Sequence, residues 1–440
     1  MILCISAMGT FIGSFTLCVP AQEPPAGQPP SDRDSTKSTV AVQLAEQPVQ
    51  TPDESYKAAM HPLDIVRGSL DNWSEAELGA LAVGMRKAHD ACETAQLDDY
   101  SGDNLYDFVR LCALGQDWEK ANAAAQSYIR SKLEPHRAQA YSLSINAMVH
   151  MSAIDLAVET TREMLTQLAY DAEVAYAVRY MKDDLSQTSD PAALKLAGEE
   201  HPAIVAALKG NAPLKAQGEA VMSLGSLYDS AMELAFWQRY TRDDAAASTT
   251  TEEVDQALGP NAPLSAEDTA RIAAVRLRYG LLGSRLPEIK PMRSLESAKA
   301  KPMIPIGGGA WTVLVLFPDW CGGCRKMMKP LTEFAKVNKI RAFGLVFEDD
   351  SVIPEQAGHE LLLNELKGTS TMVVSPSTAQ LVGANEFPLG IVLDRERKVR
   401  FIGILPLNAF NGGGYMERTI QQIAGQGSSV AMPANPAKKY

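Results

Sequence analysis

The sequence predicts a multidomain chain: an N-terminal all-α region, then an α/β domain with a central mixed sheet flanked by helices. Three observations lead there. The 440 residues suffice for two or three domains. From Ser55 to Gly283 the pattern is almost entirely helix-period and rich in alanine, the best helix former. At Trp311–Phe317 it changes to a short aliphatic and aromatic run that ends in the turn residues Pro318, Asp319 and Trp320, the signature of a buried strand. A helix-period segment carrying Arg325, Met328, Leu331, Phe334 and Ala335 follows.

Taken in order, residues Met1–Val19 hold no charge, and Val19-Pro20-Ala21 places permitted residues for cleavage before Gln22. The reading is a signal peptide over residues 1–21, hence an exported, periplasmic or extracytoplasmic protein. No Lys or Arg precedes Arg33, and the alternative is a membrane anchor formed by residues 1–19. Residues 22–54 are rich in Pro, Gln, Ser and Thr without a sustained period and read as a linker. The helical region takes 55–283, the α/β domain 284–426 and a frayed tail 427–440. A net charge of −12 and a pI near 5.1 argue against nucleic acid as partner and against a basic membrane-surface patch.

In the helical region Ser265 opens a helix, with Asp268 in place of the usual capping-box Glu or Gln. The turn Gly115-Gln116-Asp117 leads to Trp118, Ala121, Ala125 and Tyr128. Thirty-six residues after Trp118, the set Ile154, Ala157, Thr161 and Met164 takes equivalent places. This spacing resembles tetratricopeptide-type helical hairpins, although the Trp-Leu-Gly-Tyr signature is mostly missing; an irregular all-helical domain accounts for the same residues. Either architecture offers a surface for a protein partner or packs against the following domain. Cys92 lies on one helical face with Leu81, Met85 and Ala88, and Cys112 on another with Leu105 and Phe108. A turn over Asp98–Asn104 would bring the two cysteines level on antiparallel helices, where a structural disulfide is permitted. Two buried thiols acting as small hydrophobes is the other reading.

Cys321 and Cys324 sit where the predicted strand hands over to its helix. Free N–H groups at a helix N-terminus favour negative charge, so a thiolate there is stabilised, and the thiolate is the species that attacks disulfides. Zinc is disfavoured, because there is no second Cys pair and His359 is the only histidine of the domain. A purely structural bridge closes too short a loop to stabilise much. No cofactor motif and no metal cluster stand out.

The stretch Trp320-Cys321-Gly322-Gly323-Cys324, with Arg325-Lys326 behind it, resembles the thioredoxin superfamily, and more closely its extracytoplasmic TlpA/ResA-like branch. Glu386-Phe387-Pro388 followed by Leu389–Asp394 is similar to that family's cis-proline and next strand, with a further strand over Lys398–Ile404 and a last helix over Tyr415–Ala424. The resemblance implies thiol–disulfide oxidoreductase activity on protein thiols and disulfides. In it Cys321 is the exposed nucleophile, Cys324 the resolving thiol, and Trp320, Phe387 and Pro388 (the cis-proline) the substrate-binding surface. A membrane-bound electron donor fits the same picture. The sequence departs from the family at three points. Val315 and Met327 stand where acids are expected, leaving Glu348 and Glu386 as substitutes, and Pro330 lies one position late. The missing acids keep a second class open: a non-enzymatic helical-repeat scaffold with a degenerate thioredoxin-like domain.

Overall fold

The computed structural model describes residues 50–67, 75–133, 135–187, 192–216, 221–295, 304, 309–349, 355–411 and 415–425. The expected leader, most of the expected linker and the tail lie outside them. The chain divides into two compact units after Met151.

In the first unit, α1 (Pro52–Val66) is opened by a capping box. The Glu54 amide donates to Thr51 Oγ1 at 3.2 Å and the Thr51 amide to Glu54 Oε2 at 2.9 Å. Helix therefore starts ahead of the expected Ser55. There follow α2 (Glu75–Thr94), α3 (Asp103–Leu114), α4 (Trp118–Ser131), capped by Asp117, and α5 (Arg137–His150). Sequential helices pack side by side. Gly115 lets the α3–α4 turn press on α2: a Cβ there would stand 2.6 Å from the His89 nitrogen. Cys92 and Cys112, both fully buried, are disulfide-bonded and tie α2 to α3 with their Cα atoms 5.1 Å apart.

The second unit begins with α6 (Ile154–Gln167), α7 (Ala172–Gln187) and α8 (Ala192–Lys209). A short antiparallel hairpin follows, β1 (Leu214–Lys215) and β2 (Val221–Met222), then α9 (Leu224–Tyr240), α10 (Asp244–Leu258) and α11 (Ala266–Gly280). α4 and α6 start at Trp118 and Ile154, the two positions that the repeat aligns, but they fall in different units. Ser265 caps α11 as its sequence indicates. Asp268 does more: its Oδ1 accepts the Gly225 amide at 2.8 Å and so serves the first turn of α9 as well. Burial works against the Asp268 charge, but these hydrogen bonds outweigh it and hold the carboxyl below its ordinary range.

Beyond α11 the described strands form one mixed sheet, in spatial order β3 (Pro291–Ser294), β6 (Thr371–Val374), β5 (Arg341–Phe347), β4 (Thr312–Pro318), β7 (Leu389–Leu393) and β8 (Val399–Ile404). β4, β5 and β6 run parallel, and β7 is antiparallel to both β4 and β8. Between the strands lie α12 (Gly322–Lys326), α13 (Met328–Asn338), α14 (Glu355–Glu365) and α15 (Ser377–Leu381), with α16 (Tyr415–Gly425) last. Every residue of β4 is buried, as befits a central strand covered on both faces. Its alternation sorts the core. Val313, Val315 and Phe317 join Met328, Leu331, Phe334 and Tyr415, while Leu314 and Leu316 join Ile391, Leu393, Leu281 and Leu286.

The helices α9–α11 share the first of these cores. The rings of Phe236 on α9 and Phe401 on β8 lie edge to face at 5.9 Å. The junction expected at Gly283–Ser284 falls inside this unit. There the Gly283 amide donates to Val399 O and the Val399 amide to Ser284 O, each at 2.8 Å, so the connection runs alongside β8.

Candidate functional site

β4 ends in a tight turn. The Cys321 amide donates to Pro318 O at 3.1 Å, and the Asp319 amide bonds back to Phe347 O at the end of β5 at 2.9 Å. That turn delivers Cys321 as the N-cap of α12. Its Sγ accepts the Cys324 amide at 3.3 Å, and its carbonyl accepts the Arg325 amide at 3.1 Å. A sulfur so placed receives one of the unpaired N–H groups of a helix start, which favours its thiolate form. Cys321 and Cys324 are disulfide-bonded here, with Cα atoms 5.3 Å apart. The structure therefore depicts the oxidised pair.

One expectation is corrected. Cys321 is not exposed but 7 % accessible, and Cys324 is fully buried. The loop after β8 comes close to the spacer of the pair. Leu407 is seated on Gly323, between the cysteines, so closely that a Cβ there would stand 2.8 Å from its Cδ1. Trp320, half-buried, packs against the same apolar core. The order of access still favours Cys321. Glycine at 323 gives Leu407 room, since a Cβ there would push the leucine side chain aside.

Pro330 acts where its position implies. It has no N–H to offer Lys326, and the helix breaks at Met327 between α12 and α13. Of the basic pair behind Cys324, Arg325 is engaged elsewhere. Arg325 Nη1 donates to the Asp319 carbonyl, and its Nε meets Glu365 Oε2 at 2.6 Å. The expected cis-proline is present: Phe387–Pro388 is a cis peptide that leads into β7, Pro388 is buried, and Phe387 is half-buried with its ring 5.3 Å from that of Phe347.

Neither substitute acid is a free carboxylate. Glu348 pairs with Arg293, joining the end of β5 to β3, and Glu386 is held by arginines of α7 and α11. The buried acid that the sequence reading passed over is Asp319, 1 % exposed and two residues before Cys321. Burial raises its carboxyl above the ordinary range, opposed by hydrogen bonds from the Asp349 and Trp320 amides and by the charge of Arg325; the Asp349 amide lies 3.2 Å from Oδ1. Its signal was faint, because an Asp in a turn ordinarily faces water. In the first unit, taken by itself, the Cys92–Cys112 bridge is fully buried between two helices.

No protein-family model matches the chain, and no curated protein matches it. Several solved structures do. The thioredoxin domain of a thiol-disulfide oxidoreductase from Bacteroides vulgatus aligns over 30 % of this chain and 94 % of its own, at 14 % identity and a TM-score of 0.24. StoA from Bacillus subtilis aligns over 30 % of this chain and 91 % of its own, at 14 % identity and a TM-score of 0.22. A thioredoxin-like protein from Bacteroides caccae aligns over 68 % of this chain and 93 % of its own, at 13 % identity and a TM-score of 0.31.

Proposed function

We propose that the chain is a thiol–disulfide oxidoreductase acting on protein thiols and disulfides through Cys321 and Cys324. The observation that carries this reading is the pair's placement: two bonded cysteines at the start of a helix, with the Cys324 amide on Cys321 Sγ. In the reducing direction both cysteines begin as thiols. The Cys321 thiolate attacks one sulfur of a substrate disulfide, the substrate S–S bond breaks, and one substrate sulfur leaves as a thiolate that takes up a proton. Cys324 then loses its proton and attacks Cys321 Sγ in the mixed disulfide. The Cys321–Cys324 bond forms and the second substrate thiol departs. Two electrons have moved from the pair to the substrate. The reverse sequence oxidises a substrate dithiol. An external dithiol or disulfide partner resets the pair, and its redox state sets the direction.

Trp320, Phe387 and Pro388 form the substrate-facing surface in this reading. The TlpA/ResA-like branch is its finer form, with a membrane-bound electron donor and a protein partner on the helical region as its further partners. We place the exchange outside the cytoplasm, because a structural bridge such as Cys92–Cys112 persists in oxidising compartments. Mass spectrometry without reductant, on protein from its native compartment, is expected to find the Cys92 and Cys112 peptides linked; two alkylatable thiols would count against export.

Trapping tests the activity. Full-length Cys324→Ser, reduced and mixed with insulin, is expected to accumulate a mixed disulfide through Cys321, because nothing remains to resolve it. Cys321→Ser is expected to trap little, and the unmodified chain to reduce insulin with turnover. Equal trapping by both variants would reverse the assigned roles. No trapping and no turnover would leave the scaffold reading in its place.

A further inference from the structure

The loop that leads to Phe387 and Pro388 is gripped by the preceding helices. Arg271, Ala274 and Arg278 recur at helical spacing along one face of α11. Arg271 Nη1 lies 2.8 Å from Glu386 Oε1. Arg278 Nη1 donates to Asn385 Oδ1 at 2.6 Å and to Gly383 O at 3.3 Å, while its Nη2 meets Asp229 Oδ1 on α9 at 2.8 Å. Between the two arginines, Ala274 O abuts Gly383, where a Cβ would stand only 2.2 Å away; Gly383 also takes φ +66°, so glycine is required twice over. From α7, Arg179 Nη2 reaches to 3.7 Å of Glu386 Oε2. Gly383, Asn385 and Glu386 are thus each fastened to helices that precede the sheet.

Stability does not account for this arrangement. The Glu386 side chain is 14 % exposed, and taking such a carboxylate and two guanidinium groups out of water offsets most of their attraction. A buried ionic network does fix position. The residue so positioned is the next one, Phe387. Its ring rests on Phe347, and among the described residues no hydrogen bond engages its backbone. An extended peptide could add to that backbone as a short extra strand. Pro388 has no N–H, and its carbonyl is taken by the Leu405 amide at 2.9 Å, so Phe387 is the available edge.

We propose that Glu386, held between Arg271 and Arg179, is a positioning residue that fixes the Phe387 backbone as the docking edge for a substrate peptide. Helices α7 and α11 are then part of substrate recognition. The inference rests on the redox reading, and it divides the substrates into two kinds. A disulfide within an extended polypeptide uses the Phe387 edge. A small disulfide such as oxidised glutathione reaches Cys321 without it.

Two measurements on the full-length chain test this, with Glu386→Gln as the main variant and Arg179→Gln and Arg271→Lys as milder ones in case the first fails to fold. In hydrogen exchange, Glu386→Gln is expected to raise the exchange rate of the Leu405 amide, which is bonded to the Pro388 carbonyl next to Phe387, by about tenfold, the factor that follows from losing one charged hydrogen bond, with Arg271→Lys in between. In kinetics, the ratio of insulin reduction to oxidised glutathione reduction is expected to fall by a similar factor. Both rates falling together would mark a merely structural role and overturn the proposal. Unaltered exchange at Leu405 would overturn the clamp itself, whatever the activity. A parent chain that reduces neither disulfide would sink the redox reading and the substrate role with it, while exchange at Leu405 would still report on the clamp.

Discussion

Asp319 shows what a single residue does at the turn before the cysteines. Its carboxyl is buried and raised above the ordinary range, so folding disfavours the ionised form. Well below pH ~4, where folded and unfolded chains both carry the acid protonated, this penalty is absent. It grows as pH rises toward the raised value and is complete above it. Asp319→Asn keeps an oxygen to accept the Asp349 amide and carries no charge. The gain in melting temperature from that substitution is expected to rise across the acid range and to level off toward neutrality; scanning calorimetry at several pH values checks it, and a gain that shrinks with pH would contradict the burial argument. The cysteines and Pro388 were legible in the sequence because their meaning is local: a strand, a turn, a helix start, an X-Pro before another strand. Asp319 was not, since its burial depends on β5. Nor was the role of Glu386, whose partner Arg271 lies 115 residues away.

At the scale of elements, the helices followed from periodicity and caps, and the central strand from an apolar run bounded by turn residues. Their boundaries moved where a cap decided, as at Thr51 for α1, or where a missing N–H decided, as at Pro330. The polar links between helices were not legible. Lys182 on α7 is 2 % exposed and lies 2.7 Å from Glu200 on α8 and 2.5 Å from Glu233 on α9, while Tyr170 donates to Glu200 at 2.7 Å. Burial works against the Lys182 charge, yet the two carboxylates beside it hold its pKa above the ordinary value. From sequence Lys182, Glu200 and Glu233 each read as a solvated position on an amphipathic helix. Lys182→Met is expected to destabilise the unit by about 3–5 kcal/mol, because Glu200 is left buried without its partner. Replacing Lys182, Glu200 and Glu233 together with apolar residues of similar volume is expected to recover most of that loss. Urea unfolding midpoints of the two variants decide it; equal losses would mean that packing, not charge, sets the effect.

At the scale of the molecule, the sequence divides helical from α/β residues at Gly283–Ser284, where the periodicity changes. The packing does not follow that line. Phe401 is buried in a core shared with Phe236 of α9, the connection at Gly283 bonds to β8, and Arg278 holds Asn385. Periodicity reports the type of an element and not its neighbours, so this joint could not be read from the chain. A consequence for stability follows. In a fragment of residues 284–426, Phe401 loses its Phe236 neighbour, and the Gly383–Glu386 loop loses every arginine of the clamp. Burying a large apolar side chain is worth about 1.5–3 kcal/mol, and a domain's whole stability is only about 5–15 kcal/mol, so a few such losses are decisive. The fragment 284–426 is therefore expected to show no cooperative thermal transition, or one far below that of residues 152–426, which retain every described residue of the second unit. Circular dichroism melts of the two fragments make the comparison. A cooperative transition of 284–426 at the temperature of the longer fragment would show that the helices are an appended module, and that the α/β region holds its Phe387 edge without them.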